Sequence, residues 1–288
     1  MCLSTVYKNI MAPETIVMRN VMAIECKDGC VILTDLMERQ MAIEGTLERA
    51  NLVDGYVIVK ETIPALGNAM EEKLEQFRRV KHFIWDFDGT LFDTYPVIIR
   101  NLRSALARYG RDCDPVEAMG LMLDHIPAAR NFYADQYGID REELKAAYEE
   151  FHHQANAEME AQPMAGVREV LKRIRETGGY NYIFTHRKLW ETEAYLKKYD
   201  LLEEFRDLIG PESPCFASKP APDAILYLMK TYEMDPEETV MVGDRDCDLG
   251  SGRNAGIKAM HLICKAVPED LVCDWRLEDF ETMLAMLN

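Results

Sequence analysis

The sequence predicts an α/β protein in two parts: a small all-β module of barrel type, then an open parallel sheet covered by helices, with a helical block inserted into it. Three observations carry this. Residues 1–61 alternate short β-rich runs with turn residues, strand and helix patterns alternate from Lys81 onward, and residues 96–162 read as helix throughout. The 288 residues leave room for more than one domain. The expected division is a β module over 1–62, a linker over 63–80, a sheet domain over 81–95 and 163–288, and a helical cap over 96–162.

The amino-terminal runs are Ser4-Thr5-Val6-Tyr7, residues 15–18, residues 21–25, residues 30–34, residues 40–44 and residues 56–60. Asp28-Gly29 and Asp54-Gly55 lie between such runs and are hairpin signals. Six short strands in so few residues imply a small, strongly bent sheet or barrel. Pro64 and Gly67 mark the linker, followed by a charged helical stretch at 70–79. Phe83-Ile84-Trp85 has the character of a buried strand, which Gly89 breaks. Pro96 then opens a helix with Ile98, Ile99, Leu102, Leu106 and Tyr109 at helical spacing, ended by Gly110, with Asp93-Thr94 as its cap. Asp140 and Glu143 form a capping box for a helix over 141–160. After Pro163 the alternation resumes: helix 166–176, strand 180–185, helices 188–199 and 222–233, strand 239–243.

The chemistry lies at the strand ends. Asp86 and Asp88 follow the first strand of the sheet, where two carboxylates repel unless a cation or a shared proton intervenes. A hard cation such as Mg²⁺, held by a few protein oxygens and a substrate phosphate, suits such an edge. Thr185-His186-Arg187 ends the next strand and offers a hydroxyl and helix-start amides for phosphate oxygens. Lys219 sits in Ser-Lys-Pro-Ala-Pro-Asp, where two prolines stiffen its backbone, and Gly243-Asp244-Arg245-Asp246-Cys247-Asp248 returns carboxylates to the same edge. Thr185 or Asp244 alone could be a helix cap, and Lys219 alone a solvated lysine. All of them in order at element ends point to phosphoryl chemistry. Among the remaining polar residues, His152 and His153 face different directions on one helix and are expected at the surface.

Composition narrows the partners. A net charge of −17 disfavours nucleic acid and membrane surfaces, which call for basic patches. The chain has no 18-residue apolar run and lacks a basic-then-apolar leader pattern, so a cytoplasmic location is expected. Eight scattered cysteines suggest reduced thiols, and the seventeen methionines core filler.

The motif set resembles the haloacid dehalogenase superfamily over residues 81–288. Asp86-Phe-Asp88-Gly-Thr corresponds to its first motif, Thr185 to its second, Lys219 to its third and Gly243-Asp244-x-x-x-Asp248 to its fourth. The helical insertion is similar to the type-1 cap of the phosphoglycolate-phosphatase-like branch, on a Rossmann-like sheet. The resemblance implies Asp86 as nucleophile forming an aspartyl-phosphate, and Asp88 as acid, then base. It implies Mg²⁺ held by Asp86, the Asp88 carbonyl and Asp244, with Asp248 ordering the surrounding shell. Thr185 and Lys219 would neutralise the phosphoryl group. Carbon–halogen-cleaving branches lack an aspartate at the Asp88 position, and the phosphonate-cleaving branch needs a cap lysine, where this block has only Lys145. Phosphatase is therefore expected, acting on a small phosphorylated metabolite, with a sugar phosphomutase as the alternative.

Residues 1–62, with Met1-Cys2-Leu-Ser-Thr-Val-Tyr, Met22-Ala-Ile-Glu and Tyr56-Val-Ile-Val, resemble the CooT family of small nickel-binding proteins. That resemblance implies a homodimer binding Ni²⁺ through Cys2. Cys26 and Cys30 flank a hairpin and are expected to be packing residues. It leaves a further alternative, a nickel-binding regulatory protein whose hydrolase domain acts as a sensor. RNA binding by this module conflicts with its charge: residues 1–61 hold nine acidic and six basic side chains, a net −3.

Overall fold

The computed structural model describes residues 3–12, 15–27, 29–51, 53–61, 66–124, 126–213, 216–263 and 271–288. Two compact units divide between Lys73 and Leu74. The first is a closed barrel of β1 (Ser4–Lys8), β2 (Ile16–Lys27), β3 (Cys30–Asp35), β4 (Gln40–Asn51) and β5 (Tyr56–Glu61). Neighbours pair antiparallel, and β1 closes on β5 in parallel. Val6, Val21, Val31, Leu33, Ile43, Val57 and Val59 point inward at alternating positions and fill the barrel. Among the described residues there are five strands rather than six. The runs at 15–18 and 21–25 are one strand, continuous through Asn20 at φ 57° with a bulge between Val21 and Ala23. The β4–β5 turn is held by Asn51, whose Oδ1 accepts from Val53 N and Asp54 N, both at 3.0 Å.

Not every methionine or cysteine of this unit is a packing residue. Met11, Met22, Met37 and Met41 are exposed, as is Cys26, whereas Cys30 is half-buried. Among the described residues Cys26, Cys30, Cys113, Cys247 and Cys273 are free thiols. Cys2 and Asp28 lie outside the described residues. The helix α1 (Leu66–Arg78) spans the division between the units.

The second unit is built on six parallel strands in the order β10-β9-β6-β11-β12-β13. These are β6 (His82–Trp85), β9 (Tyr180–Phe184), β10 (Phe205–Ile209), β11 (Thr239–Gly243), β12 (Lys258–Leu262) and β13 (Trp275–Leu277). Every residue of β6 and β11 is buried, as a parallel sheet covered on both faces requires. Phe83 and Trp85 face a layer containing α6 (Val167–Glu176), α7 (Leu189–Lys198) and α10 (Phe280–Met286). Ile84 and Met241 face α8 (Asp223–Thr231). On this Met241 face also lies α9 (Asp246–Ala255), where a Cβ on Gly252 would meet Met241 Cβ at 2.8 Å. Trp85 Nε1 donates to Asn181 Oδ1 at 3.0 Å, and Asn181 donates onward to Leu171 O and Glu204 O, so the buried amide is satisfied.

Between β6 and β9 the chain leaves and re-enters the sheet domain through a two-stranded ribbon, β7 (Phe92–Asp93) against β8 (Gln162–Pro163). The helices between them are α2 (Tyr95–Ala107), α3 (Pro115–Asp124), α4 (Ile126–Tyr137) and α5 (Arg141–Glu158). They enclose their own core, with Ile98, Leu102, Leu106, Met122, Tyr133 and Leu144 among its residues. Asp140 caps α5, accepting from Glu142 N and Glu143 N. Thr94 stands at the N-cap of α2 but makes no side-chain cap bond; its backbone is helical there, which turns Oγ1 away from the first-turn amides.

Candidate active site

In the sheet order, β9 lies on one side of β6 and β11 on the other, so the chain reverses direction across the sheet at the carboxyl end of β6. A crevice opens at such a point, and the β6 end carries Asp86 and Asp88 into it. Asp86 N bonds Val242 O at 2.9 Å, extending the ladder by one residue before the chain turns. The turn closes with Gly89 N on Phe92 O at 2.9 Å. Gly89 has φ +78°, and a Cβ there would lie 2.2 Å from Tyr95 Cε2 and 2.6 Å from Asp244 Oδ2. Only glycine allows this conformation and this approach together.

Three sequence-expected residues meet directly, and a fourth, Asp244, lies close by. Lys219 Nζ donates to Asp86 Oδ1 at 2.5 Å and to Asp248 Oδ1 at 2.7 Å, with the ammonium wholly buried. Asp244 accepts from Tyr95 OH at 2.7 Å and from Thr90 Oγ1 at 3.2 Å. Carboxylate oxygens of Asp86, Asp244 and Asp248 lie within 4.8 Å of one another, the sole cluster of its kind among the described residues. Asp248 sits in the first turn of α9 and takes Arg245 N on Oδ2 at 3.1 Å. Gly243 admits it, since a Cβ there would come within 2.3 Å of Asp248 Cβ.

Burial is the largest influence on these acids. It pushes the Asp86 carboxyl up, with the Asp248 charge adding to it and Lys219 opposing, to about 6. Burial and the charges of Asp248 and Asp86 push Asp244 up to about 8. Asp248 is also penalised by burial, but Lys219 and Arg245 bring it below the usual carboxylate range. Asp86 Oδ2 is buried without a hydrogen-bond partner. An orphaned carboxylate oxygen, two acids short of positive charge and an all-oxygen donor set together fit a hard divalent cation.

Asp88 is held apart from this cluster. Arg187 reaches it through Nη2 to Oδ1 at 2.6 Å and Nε to Oδ1 at 3.1 Å. Burial raises the Asp88 carboxyl, and the Arg187 guanidinium outweighs it, holding the group below its ordinary value. Thr185 directly follows β9, its N donating to Ile209 O at 3.0 Å and its Oγ1 accepting from Arg187 N at 3.0 Å. His152 differs from the surface position expected for it: it is half-buried, with Nε2 3.0 Å from Asn156 Nδ2 and 3.6 Å from Glu191 Oε2. His153 is exposed.

Sequence reasoning did not find Tyr95, Thr90, Arg245, Asn156 or Glu191. Tyr95 and Thr90 flank the first motif, and Arg245 lies inside the fourth; their nearness to paired acids was the available signal. Asn156 and Glu191 carry no spacing that announces them.

Residues 83–262 match the family model of haloacid dehalogenase-like hydrolases. The chain belongs to that family. Residues 1–60 match the model of the CO dehydrogenase accessory protein CooT. Curated relatives include the N-acetylmuramic acid 6-phosphate phosphatase of Pseudomonas aeruginosa, 28% identical over 202 residues, 68% of this chain and 88% of that one. The pyrophosphatase PpaX of Halalkalibacterium halodurans is 30% identical over 180 residues, 61% of this chain and 80% of that one. Among solved structures, a predicted phosphoglycolate phosphatase from Haemophilus somnus superposes with a TM-score of 0.64 at 20% identity. The match covers 73% of this chain and 99% of that one and speaks to the fold alone. Among the described residues no helix is long and apolar enough to cross a membrane. The haloacid dehalogenase-like assignment thus rests on a family model that spans all four motif positions.

Proposed function

We propose that this haloacid dehalogenase-like hydrolase is a Mg²⁺-dependent phosphatase of a small phosphomonoester, working through an aspartyl-phosphate on Asp86. One observation carries the reading. A buried Asp86 has one oxygen fixed by Lys219 and the other unpartnered, while a second acid, Asp88, follows two residues later.

A carboxylate oxygen of Asp86 attacks phosphorus as the bond to the leaving oxygen breaks, and the electron pair of that bond stays with the leaving oxygen. Asp88 gives that oxygen a proton, then takes one from the water that attacks the acyl-phosphate. This restores Asp86 and releases phosphate. Lys219 and Thr185 oppose the charge of the phosphoryl oxygens. Asp86, the Asp88 carbonyl and Asp244 would hold Mg²⁺, with Asp248 supporting the shell. When bound, the ion supplies positive charge that lets phosphate approach a cluster of acids. A general acid contributes roughly 10²–10⁴-fold, which makes Asp88 the residue that separates hydrolysis of alkyl esters from mere phosphate binding.

The relatives' names cover a sugar phosphate, pyrophosphate and phosphoglycolate, so they support the reaction class and leave the ester open. Screening phosphorylated metabolites with Mg²⁺, with and without nickel, tests the reading. Turnover of one or more phosphomonoesters is expected, and no turnover of any would overturn it.

For the amino-terminal unit we propose a nickel-binding module in a homodimer, on the match of residues 1–60 to CooT and the Met1-Cys2 start. Cys2 would hold the ion, its thiolate being a soft donor that suits Ni²⁺. Nickel titration of the wild type beside Cys2→Ser tests it: near one ion per two chains is expected for the wild type alone, and equal binding by both contradicts it.

A further inference from the structure

Arg187 is buried to 8% exposure, and its guanidinium has every edge committed. Nε and Nη2 face Asp88, whereas Nη1 donates to Glu191 Oε2 and to Asn156 Oδ1, both at 3.1 Å. The rings of Phe87 and Tyr195 lie 5.6 and 5.7 Å from its carbon centre. Its partners come from three elements. Asp88 and Phe87 follow β6, Glu191 and Tyr195 are on α7, and Asn156 is on α5 of the cap, where Tyr195 OH also reaches it at 3.4 Å. One positive charge is thus shared between two buried carboxylates, with His152 of the cap 3.6 Å beyond Glu191.

This arrangement poses a conflict that the reaction must resolve. Asp88 must turn its carboxyl to the leaving oxygen and then to water, yet here Nε and Nη2 of Arg187 hold it in place. The rigid fork of arginine offers the solution, because a small rotation trades the grip on Asp88 for a closer hold on Glu191 and Asn156, which Nη1 already contacts, so the buried guanidinium stays paired. Asn156 ties that trade to the cap, since movement of α5 changes what Nη1 can hold.

We propose that Arg187 is the positioning residue for Asp88, and that its grip is set by the cap through Asn156. The inference rests on the acid–base role given to Asp88 above. Arg187 touches Asp88 and acts on the substrate only through it.

The test is a double-mutant cycle of Arg187→Lys and Asp88→Asn, joined by Asn156→Ala, read on p-nitrophenyl phosphate and on an alkyl phosphate. Aryl leaving groups depart with little help from an acid, whereas alkyl ones need the proton. Arg187→Lys should lower kcat on the alkyl ester by about 10²-fold and on the aryl ester by no more than about 10-fold. On the Asp88→Asn background it should change either rate by less than about 2-fold, because the residue it acts through is gone. Asn156→Ala removes the cap's contact with Nη1, along with its contacts to Tyr195 and His152, and should show the same bias at about 10-fold on the alkyl ester. Additive losses in the cycle, or equal losses on both esters, would overturn the clamp while leaving the phosphatase reading intact. Should Arg187→Lys fail to fold, the bias or its absence in Asn156→Ala decides. Absence of turnover in the wild type would overturn the phosphatase reading itself, and the clamp with it.

Discussion

Replacing Lys219 by methionine separates electrostatic support from chemistry at this site. The ammonium is fully buried and contacts Asp86 at 2.5 Å and Asp248 at 2.7 Å, so its loss strands two buried carboxylates. Removing one partner of a buried ion pair costs about 3–5 kcal/mol. A domain of this size loses about 2–4 °C per kcal/mol, so melting should fall by roughly 6–20 °C in chelator near pH 8. The loss should shrink on acidification. Lys219 opposes the rise of the Asp86 pKa, and without it that carboxyl moves above its present value of about 6 and takes up a proton instead. A group whose folded pKa lies above its unfolded one binds more protons when folded, so stability falls as pH rises through the window between the two values. The variant's deficit should therefore be smaller near pH 5.5 than near pH 8. Millimolar Mg²⁺ should restore part of it by replacing the missing charge. Thermal unfolding followed by circular dichroism, with chelator and with Mg²⁺ at both pH values, checks this. A drop under about 3 °C near pH 8, or equal drops at the two pH values, would refute the charge balance described for the cluster.

The wild-type protein should respond to Mg²⁺ in the same sense. Asp86 and Asp244 are raised to about 6 and about 8, so the metal-free fold loses stability as pH climbs above the unfolded carboxylate value, and the melting increase on adding Mg²⁺ should grow between about pH 5 and pH 8. A shift independent of pH would contradict this. Tyr95→Phe deletes the donor to Asp244 and should lower stability by about 1–3 kcal/mol; it should also weaken Mg²⁺ binding near neutral pH, because that hydrogen bond favours the charged carboxylate. Calorimetric titration showing unchanged Mg²⁺ affinity would count against Asp244 as a ligand. Gly89→Ala places a methyl group against Tyr95 and Asp244 at a left-handed backbone position and should cost more than about 2 kcal/mol as well as activity. A stable, active alanine variant would show that the turn has another conformation.

Much of the sheet domain was legible because its buried strands and their endings coincide. Phe83-Ile84-Trp85 is apolar on both faces and stops at a turn glycine, and strand 239–243 matches β11 residue for residue. The edge strands β10 and β13 escaped notice, as did β12 between β11 and β13: β10 is half-exposed with mixed polarity, and β13 is three residues long. The barrel read as one strand too many because Asn20 interrupts the apolar alternation of β2, and β4 read as too short because it runs on past its apolar stretch through Gly45 to Asn51. At the site, acids could be ordered along the chain by motif. The Arg187–Asp88 pair spans 99 residues and leaves no periodic trace. Thr94 looked like a cap by residue type, yet whether a threonine caps depends on its own backbone angles, which the sequence does not display.

The central claim is that Asp86 carries the phosphoryl group. The direct measurement is acid quench of the enzyme during turnover with Mg²⁺ and a hydrolysed phosphomonoester, followed by mass spectrometry of the proteolytic peptides. The account predicts one phosphoryl group, labile to hydroxylamine, on the peptide holding Asp86, accumulating further in Asp88→Asn and absent in Asp86→Asn. Phosphorylation of another residue, or turnover by Asp86→Asn above a few per cent of wild type, would contradict it.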